Sequence, residues 1–260
     1  MRGERRTCKV IGILGLTLAL VMLSGSAQAR MWVGAQIGAN FAASQDVTMN
    51  DTGDVVVWKN ARVEPAVIAG LTIGYDFVRE GFLGYNYPDW MKYFSFAVDF
   101  TYNRYDMREQ FLSGTINGDL GKISFPDINN LDGARVEGTM AVLSFLFFGK
   151  YGFFPDAEVP FGRLQPYLGV GPGIMFSSVD GFKDVGGLGL GSASSVDIAL
   201  VTEAGVRYMA LKNVSLDLGF RYRYGAPSYS ITGAAFPGQT VNIKFDTHQF
   251  SALFRVGYHF

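Results

Sequence analysis

From Phe250 to Phe260 the chain alternates with a period of two. Phe250, Ala252, Phe254, Val256, Tyr258 and Phe260 fall on one face; Ser251, Leu253, Arg255, Gly257 and His259 fall on the other. That is the period of a strand and not of a helix. One face is aromatic and apolar, the other small or polar. A soluble barrel would turn the rings inward, whereas a membrane barrel turns them to lipid and keeps the polar face for its lumen.

Seven further strands are expected upstream, over residues 32–42, 65–77, 94–103, 136–151, 166–176, 198–208 and 214–224, and six of them alternate in the same way. The third of these is the clearest, with Phe94, Phe96, Val98, Phe100 and Tyr102 set against Ser95, Ala97, Asp99, Thr101 and Asn103. The fourth is apolar on both faces, so its orientation is left open. Upstream of His248 the alternation slips, and the stretch TVNIKF (240–245) is expected to extend the eighth strand above the membrane. The links run to about twenty, twelve, twenty-eight, ten, fourteen, two and fifteen residues, with the long ones first, third, fifth and seventh. The long links are polar and carry turn formers such as NDTGD (50–54). No stretch requires a helix. An even number of strands, with both ends on the side of the short turns, predicts an all-β, eight-stranded antiparallel up-and-down transmembrane β-barrel.

Charge and bulk decide between water and lipid. Asp99, Glu203, Arg207, Asp217, Arg221, Arg223 and Arg255 all fall on the small-residue face. An eight-stranded barrel has an interior just wide enough for its side chains. Phe94, Phe96, Phe100, Phe220, Tyr222, Phe254 and Tyr258 are too bulky to share it, and the glycines opposite them would leave a soluble exterior bare. Turned the other way, the rings meet hydrocarbon and its interfaces, and the glycines leave room for ionised groups. Trp90 is expected to anchor at an interface and Trp58 to lie in the first outer loop.

The N-terminus reads as an export signal. Arg2, Arg5, Arg6 and Lys9 precede an apolar run over residues 10–23, and Ala27-Gln28-Ala29 supplies a cleavage site. The expected domains are a signal peptide, 1–29, and an outer-membrane barrel, 30–260. Residues 1–29 hold four basic residues and one acidic one, so their removal takes the formal charge from −1 to about −4. This mild balance argues against nucleic acid as a partner. The one cysteine, Cys8, lies in the same segment, so residues 30–260 carry no thiol, which suits an oxidising compartment.

The segments QPYLGVGPGI (165–174), AGVRYMALKNVSLDLGFRYRYG (204–225) and FRVGYHF (254–260) resemble the eight-stranded outer-membrane barrels of the OmpA transmembrane-domain and OmpW-like kind. The resemblance implies an outer-membrane location in a Gram-negative-type cell and contact with outer-membrane lipid. It also implies that Phe254, Val256, Tyr258 and Phe260 form the signal read by the barrel assembly machinery. The sequence ends with the barrel, so the peptidoglycan-anchoring role of full-length OmpA proteins is not carried over.

The seven charged residues on the inner face are expected to form a lumenal ion-pair network that closes the barrel to bulk flow, because opposite charges attract strongly in a narrow, poorly hydrated space. The expected role is structural or one of surface interaction, with the extracellular partner unknown. The alternative is an OmpW-like channel for small apolar solutes, for which Met175, Val201 and Leu253 supply inward apolar groups. No enzymatic activity, cofactor or metal is expected. His248 and Ser251 resemble the pair used by outer-membrane lipid A deacylases, but their parity points them to opposite faces. GVGPG (169–173) and GGLGLG (186–191) lack the strand–loop–helix setting of a phosphate cradle.

Overall fold

The computed structural model describes residues 30–50, 55–77, 86–107, 114–118, 121–125, 137–180, 192–232 and 240–260. The expected signal segment and the glycine run 186–191 lie outside them. In chain order the strands are β1 (Arg30–Ala42), β2 (Gln45–Asn50), β3 (Val55–Ala61), β4 (Ala66–Asp76), β5 (Phe94–Arg104), β6 (Gly114–Gly118) and β7 (Gly121–Phe125). They continue with β8 (Glu137–Lys150), β9 (Leu164–Asp180), β10 (Ala193–Leu211), β11 (Val214–Gly225), β12 (Ser228–Thr232), β13 (Thr240–Phe245) and β14 (Thr247–His259).

Eight of these close a barrel in the order β1-β14-β11-β10-β9-β8-β5-β4, with every pairing antiparallel. These are the eight alternating segments of the sequence, and each neighbours the next along the chain. Closure comes from the first strand meeting the last, with Trp32 opposite His259 and Phe41 opposite Phe250. Closing the sheet leaves no barrel edge unpaired, which the hydrocarbon demands because nothing there can hydrogen-bond a free backbone group.

The side chains are inverted relative to a soluble barrel. Leu71 is 65 % exposed and Ile198 82 %, while Asp99 and Glu203 are fully buried. Phe96, Phe100, Phe147, Phe220 and Phe254 all face outward. The chain is therefore a transmembrane barrel with a lipid-facing apolar band, the architecture of outer-membrane proteins. The structure also orients the fourth barrel strand, β8. Met140, Val142, Ser144, Leu146 and Phe148 point inward and are buried, while the residues between them point out. Asp99 on β5 lies opposite Ser144, which fixes that parity.

Three expectations are corrected. The first and seventh links, and part of the third, are not plain loops. Their strands form a six-stranded sheet, β12-β13-β2-β3-β6-β7, beyond the end of the barrel opposite the chain terminus. Trp58 accordingly lies on β3, opposite Val47. The segment TVNIKF is a separate strand, β13, rather than an extension of β14. The pairing of β14 with β11 stops at Thr247 opposite Gly225; past the exposed Asp246, β13 pairs with β12 and β2 instead. Finally, a 3-10 turn, Asp89–Tyr93, stands in the second link, where Pro88 sets the entry and Met91 N–H donates to its carbonyl.

The interior divides by height. Toward the six-stranded sheet lies an apolar cluster that includes Tyr105, Met140, Val142, Met175, Tyr229 and Phe245. The ring of Tyr105 stacks on Phe245 with a centroid separation of 5.9 Å. Toward the chain terminus the interior is ionic.

Candidate functional site

The registers bring the inward charges of β10, β11 and β14 side by side. Glu203 lies opposite Arg221, Arg207 opposite Asp217, and Asp217 opposite Arg255. Arg221 donates to Glu203 from Nε at 2.8 Å and from Nη2 at 2.5 Å, and from Nη1 to Asp99 at 2.7 Å. Asp99 belongs to β5, on another part of the wall, so this guanidinium crosses the lumen. Arg255 donates to Glu203 at 3.0 Å, to Asp217 at 3.4 Å and to Gln36 at 2.8 Å. Arg207 donates from Nε to Asp217 at 3.2 Å. Charge-assisted bonds of this kind are the strong ones, and each ion held here away from water depends on them.

Neutral groups complete the acceptors. Asp99 also receives hydrogen bonds from Gln36 at 2.6 Å and Thr72 at 2.7 Å, and Glu203 receives one from the Tyr167 hydroxyl at 3.0 Å. Below this layer Lys150 pairs with Asp76 at 2.6 Å, and His259 Nδ1 approaches the same carboxylate at 3.9 Å. Trp32 lies flat under the arginines, with the guanidinium carbon of Arg207 4.4 Å from its ring centre. Such a cation–π contact stabilises a desolvated arginine further.

Glycine makes this packing possible. A Cβ on Gly74 would lie 2.1 Å from the Trp32 ring, one on Gly169 2.4 Å from Phe148, and one on Gly205 2.6 Å from the Tyr167 hydroxyl. The space left between Phe148, Lys150, Tyr167, Arg207 and Arg255 is about 10 Å³, at the threshold for one water molecule. Toward the terminus the lumen widens into a mouth of about 750 Å³ bordered by Lys92, Tyr93, Lys150, Tyr151, Phe161, Lys212 and His259.

Six of the seven inward charges expected from the sequence thus meet in one lattice. Arg223 is the exception and a correction. Its register neighbours are Val201 on β10 and Gln249 on β14, both uncharged, and among the described residues its side chain donates from Nη1 to Asn103 Oδ1 at 3.4 Å. Sequence reasoning missed Trp32, Gln36, Thr72, Asp76, Lys150 and Tyr167 as members. Trp32 shares the parity of Gly34 and Gln36, so carrying the alternation to the strand's first residues would have found it. Lys150 had no signal, because its strand could not be oriented.

Outside the barrel, Phe254, Val256, Tyr258 and Phe260 are all exposed along β14 and its end. His248 lies on that outer face and bonds the Tyr222 hydroxyl at 2.8 Å, while Ser251 points inward and donates to Asn40 at 2.7 Å. They do not form a catalytic pair. Trp90 stands exposed on the 3-10 turn, edge-on to Phe94 at 5.7 Å, among the rings of the terminal end.

No family model matches the chain, and no curated protein matches it. Among solved structures it is similar to neisserial surface protein A, with 16% identity, 88% of this chain and 97% of that one covered, and a TM-score of 0.44. It is also similar to the outer membrane protein OprG from Pseudomonas aeruginosa (15%, 91% and 98%, TM-score 0.47). A third similar structure is the outer membrane protease OmpT from Escherichia coli (11%, 92% and 99%, TM-score 0.48).

Proposed function

We propose that this protein is a structural or surface-interaction barrel of the outer membrane whose lumen is plugged. The observation that carries the reading is the reach of Arg221 across the interior, from Glu203 on β10 to Asp99 on β5. Opening a path there would break two buried ion pairs, leaving Asp99 without a cation within 4 Å among the described residues and Glu203 with Arg255 alone, at a cost of about 3–5 kcal/mol for the stranded charge. The role is non-enzymatic, since the one suggestive pair, His248 and Ser251, is split between the two faces. The strands β2, β3, β6, β7, β12 and β13 offer any extracellular partner a ready surface, and the outward side chains of Phe254, Val256, Tyr258 and Phe260 serve as the assembly signal. Planar-bilayer recording of the purified chain tests the plug. Silence or rare, brief openings are expected; large and steady single-channel currents would refute it.

A second reading, a conduit for small apolar solutes, draws on one feature. The pairing of β8 and β9 is interrupted between the Ser144–Gly173 and Phe147–Val170 rows, beside Pro172. The inner wall near this break is apolar, with Val142, Leu146, Met175 and Val201. Under this reading a hydrophobic dye would enter proteoliposomes faster than protein-free liposomes, and Leu146→Asp would abolish the difference.

A further inference from the structure

The described side chains buried in the lower and middle lumen do not balance in charge. Apart from His259, which is charged only when protonated, Asp76, Asp99, Glu203 and Asp217 are four carboxylates, and Lys150, Arg207, Arg221, Arg223 and Arg255 are five cations. Each carboxylate already faces at least one cation within 4 Å, and Arg223 is the cation with no carboxylate within 4 Å among the described residues. It is 1 % exposed, and its Nε and Nη2 have no hydrogen-bond partner there. A lone ionised group at this depth is costly, and arginine does not shed its proton.

The surroundings show what is missing. Arg221 and Arg223 reach toward the same strand, β5, landing on Asp99 and Asn103. Thr101 points inward between these two landing points, and its hydroxyl has no hydrogen-bond partner among the described residues. Ser144, opposite Asp99 on β8, likewise has an unpartnered hydroxyl. The unmet guanidinium nitrogens can only donate, so the group they lack is an acceptor, to which a hydroxyl can donate as well. Arg223 carries one positive charge with no carboxylate within 4 Å, so a monovalent anion would match it. We propose that the lumen binds a small inorganic anion of the chloride type at the Arg223 guanidinium, with the Thr101 hydroxyl as a second donor.

The site is tested on the full chain refolded in detergent micelles, by urea unfolding in sodium chloride against sodium gluconate at equal concentration. Matching ionic strength removes general screening. A ligand that binds only the folded state raises the folding equilibrium constant by up to tenfold for each tenfold rise in its concentration above its dissociation constant. The wild type is expected to gain stability in chloride over gluconate. Arg223→Met, which removes the cation, and Asn103→Asp, which gives it a built-in carboxylate at the atom it already contacts, are expected to lose that difference. Equal stability of the wild type in the two salts overturns the proposal, as does a chloride effect of wild-type size in either variant. Either result would assign water to the place.

Discussion

At the scale of single residues, the lumen behaves as a set of matched donors and acceptors with little slack. Arg221 is a residue whose loss is expected to cost much, because it is the cation within 4 Å of the buried Asp99 among the described residues and also serves Glu203. Arg221→Ala is expected to destabilise the barrel by about 3–5 kcal/mol, since it strands the buried Asp99 and leaves Glu203 with Arg255 alone. Arg104 pairs with Asp106 at 3.0 Å, but its side chain is 59% exposed; Arg104→Ala is expected to cost less than about 1 kcal/mol. Urea midpoints of the two variants in the same micelles check the contrast, and similar losses would contradict it. Packing is as demanding as charge. Gly74→Ala places a methyl group against the rigid Trp32 ring, with an expected loss of about 1–3 kcal/mol and an altered tryptophan emission spectrum. The inward position of all seven expected charges was legible from parity alone. That Arg223 lacks a carboxylate was not, because the identity of its neighbours depends on the strand registers.

At the scale of elements, each barrel strand carries two environments, one per face. On β4, Leu71 lies opposite Ala35 and Phe100 near the strand's middle, facing lipid. Leu71→Arg is expected to cost about 2–4 kcal/mol when folding is measured in bilayers, the range for a cation facing lipid near the midplane. The link between β8 and β9 is organised differently, by polar bonds at the membrane surface. Asp156 accepts the backbone N–H of Val159 at 2.7 Å, and its other oxygen pairs with Arg163. Arg163 also donates to the carbonyl of Met209, tying this link to the end of β10. The Val159 N–H first, and then Arg163, hold the Asp156 carboxyl below the usual carboxylate range. Its folded-state pKa therefore lies under its unfolded-state value, so its stabilising effect is present above about pH 4 and is lost as pH falls through the folded-state value. A stability difference between wild type and Asp156→Asn that shrinks on acidification below pH 4 is the expected result. A constant difference would show that the carboxylate contributes through geometry alone.

At the scale of the whole molecule, closure and insertion are the decisive events. Just past β14, the outward ring of Phe260 ends the series, and its backbone N–H donates to the Met31 carbonyl at the start of β1, so the proposed assembly signal would lie on the closing seam. Phe260→Ala is expected to lower the yield of heat-modifiable barrel in cell outer membranes while the purified variant still refolds in detergent. Equal yields in cells would remove the signal role from this residue. The six-stranded sheet shows where sequence reading stopped short. Val55, Val57 and Trp58 on β3, and Thr240 and Ile243 on β13, are strand formers, but each run is short and sits among polar residues. With no full membrane-length alternation to announce them, they become strands through pairing between distant links, as when β13 meets β2.

The sequence by itself determined the number of barrel strands, the face each clearly alternating strand turns to lipid, and the inward position of the charges. These follow from a period of two read against an apolar solvent, which is a local property of the chain. Only the tertiary structure decided that Arg221 meets Asp99 from 122 positions away, that Trp32 lies beneath Arg207, and that one cation is left over. Closing the barrel fixes how the strands stagger. That stagger, which no single strand encodes, selects the partners across the lumen.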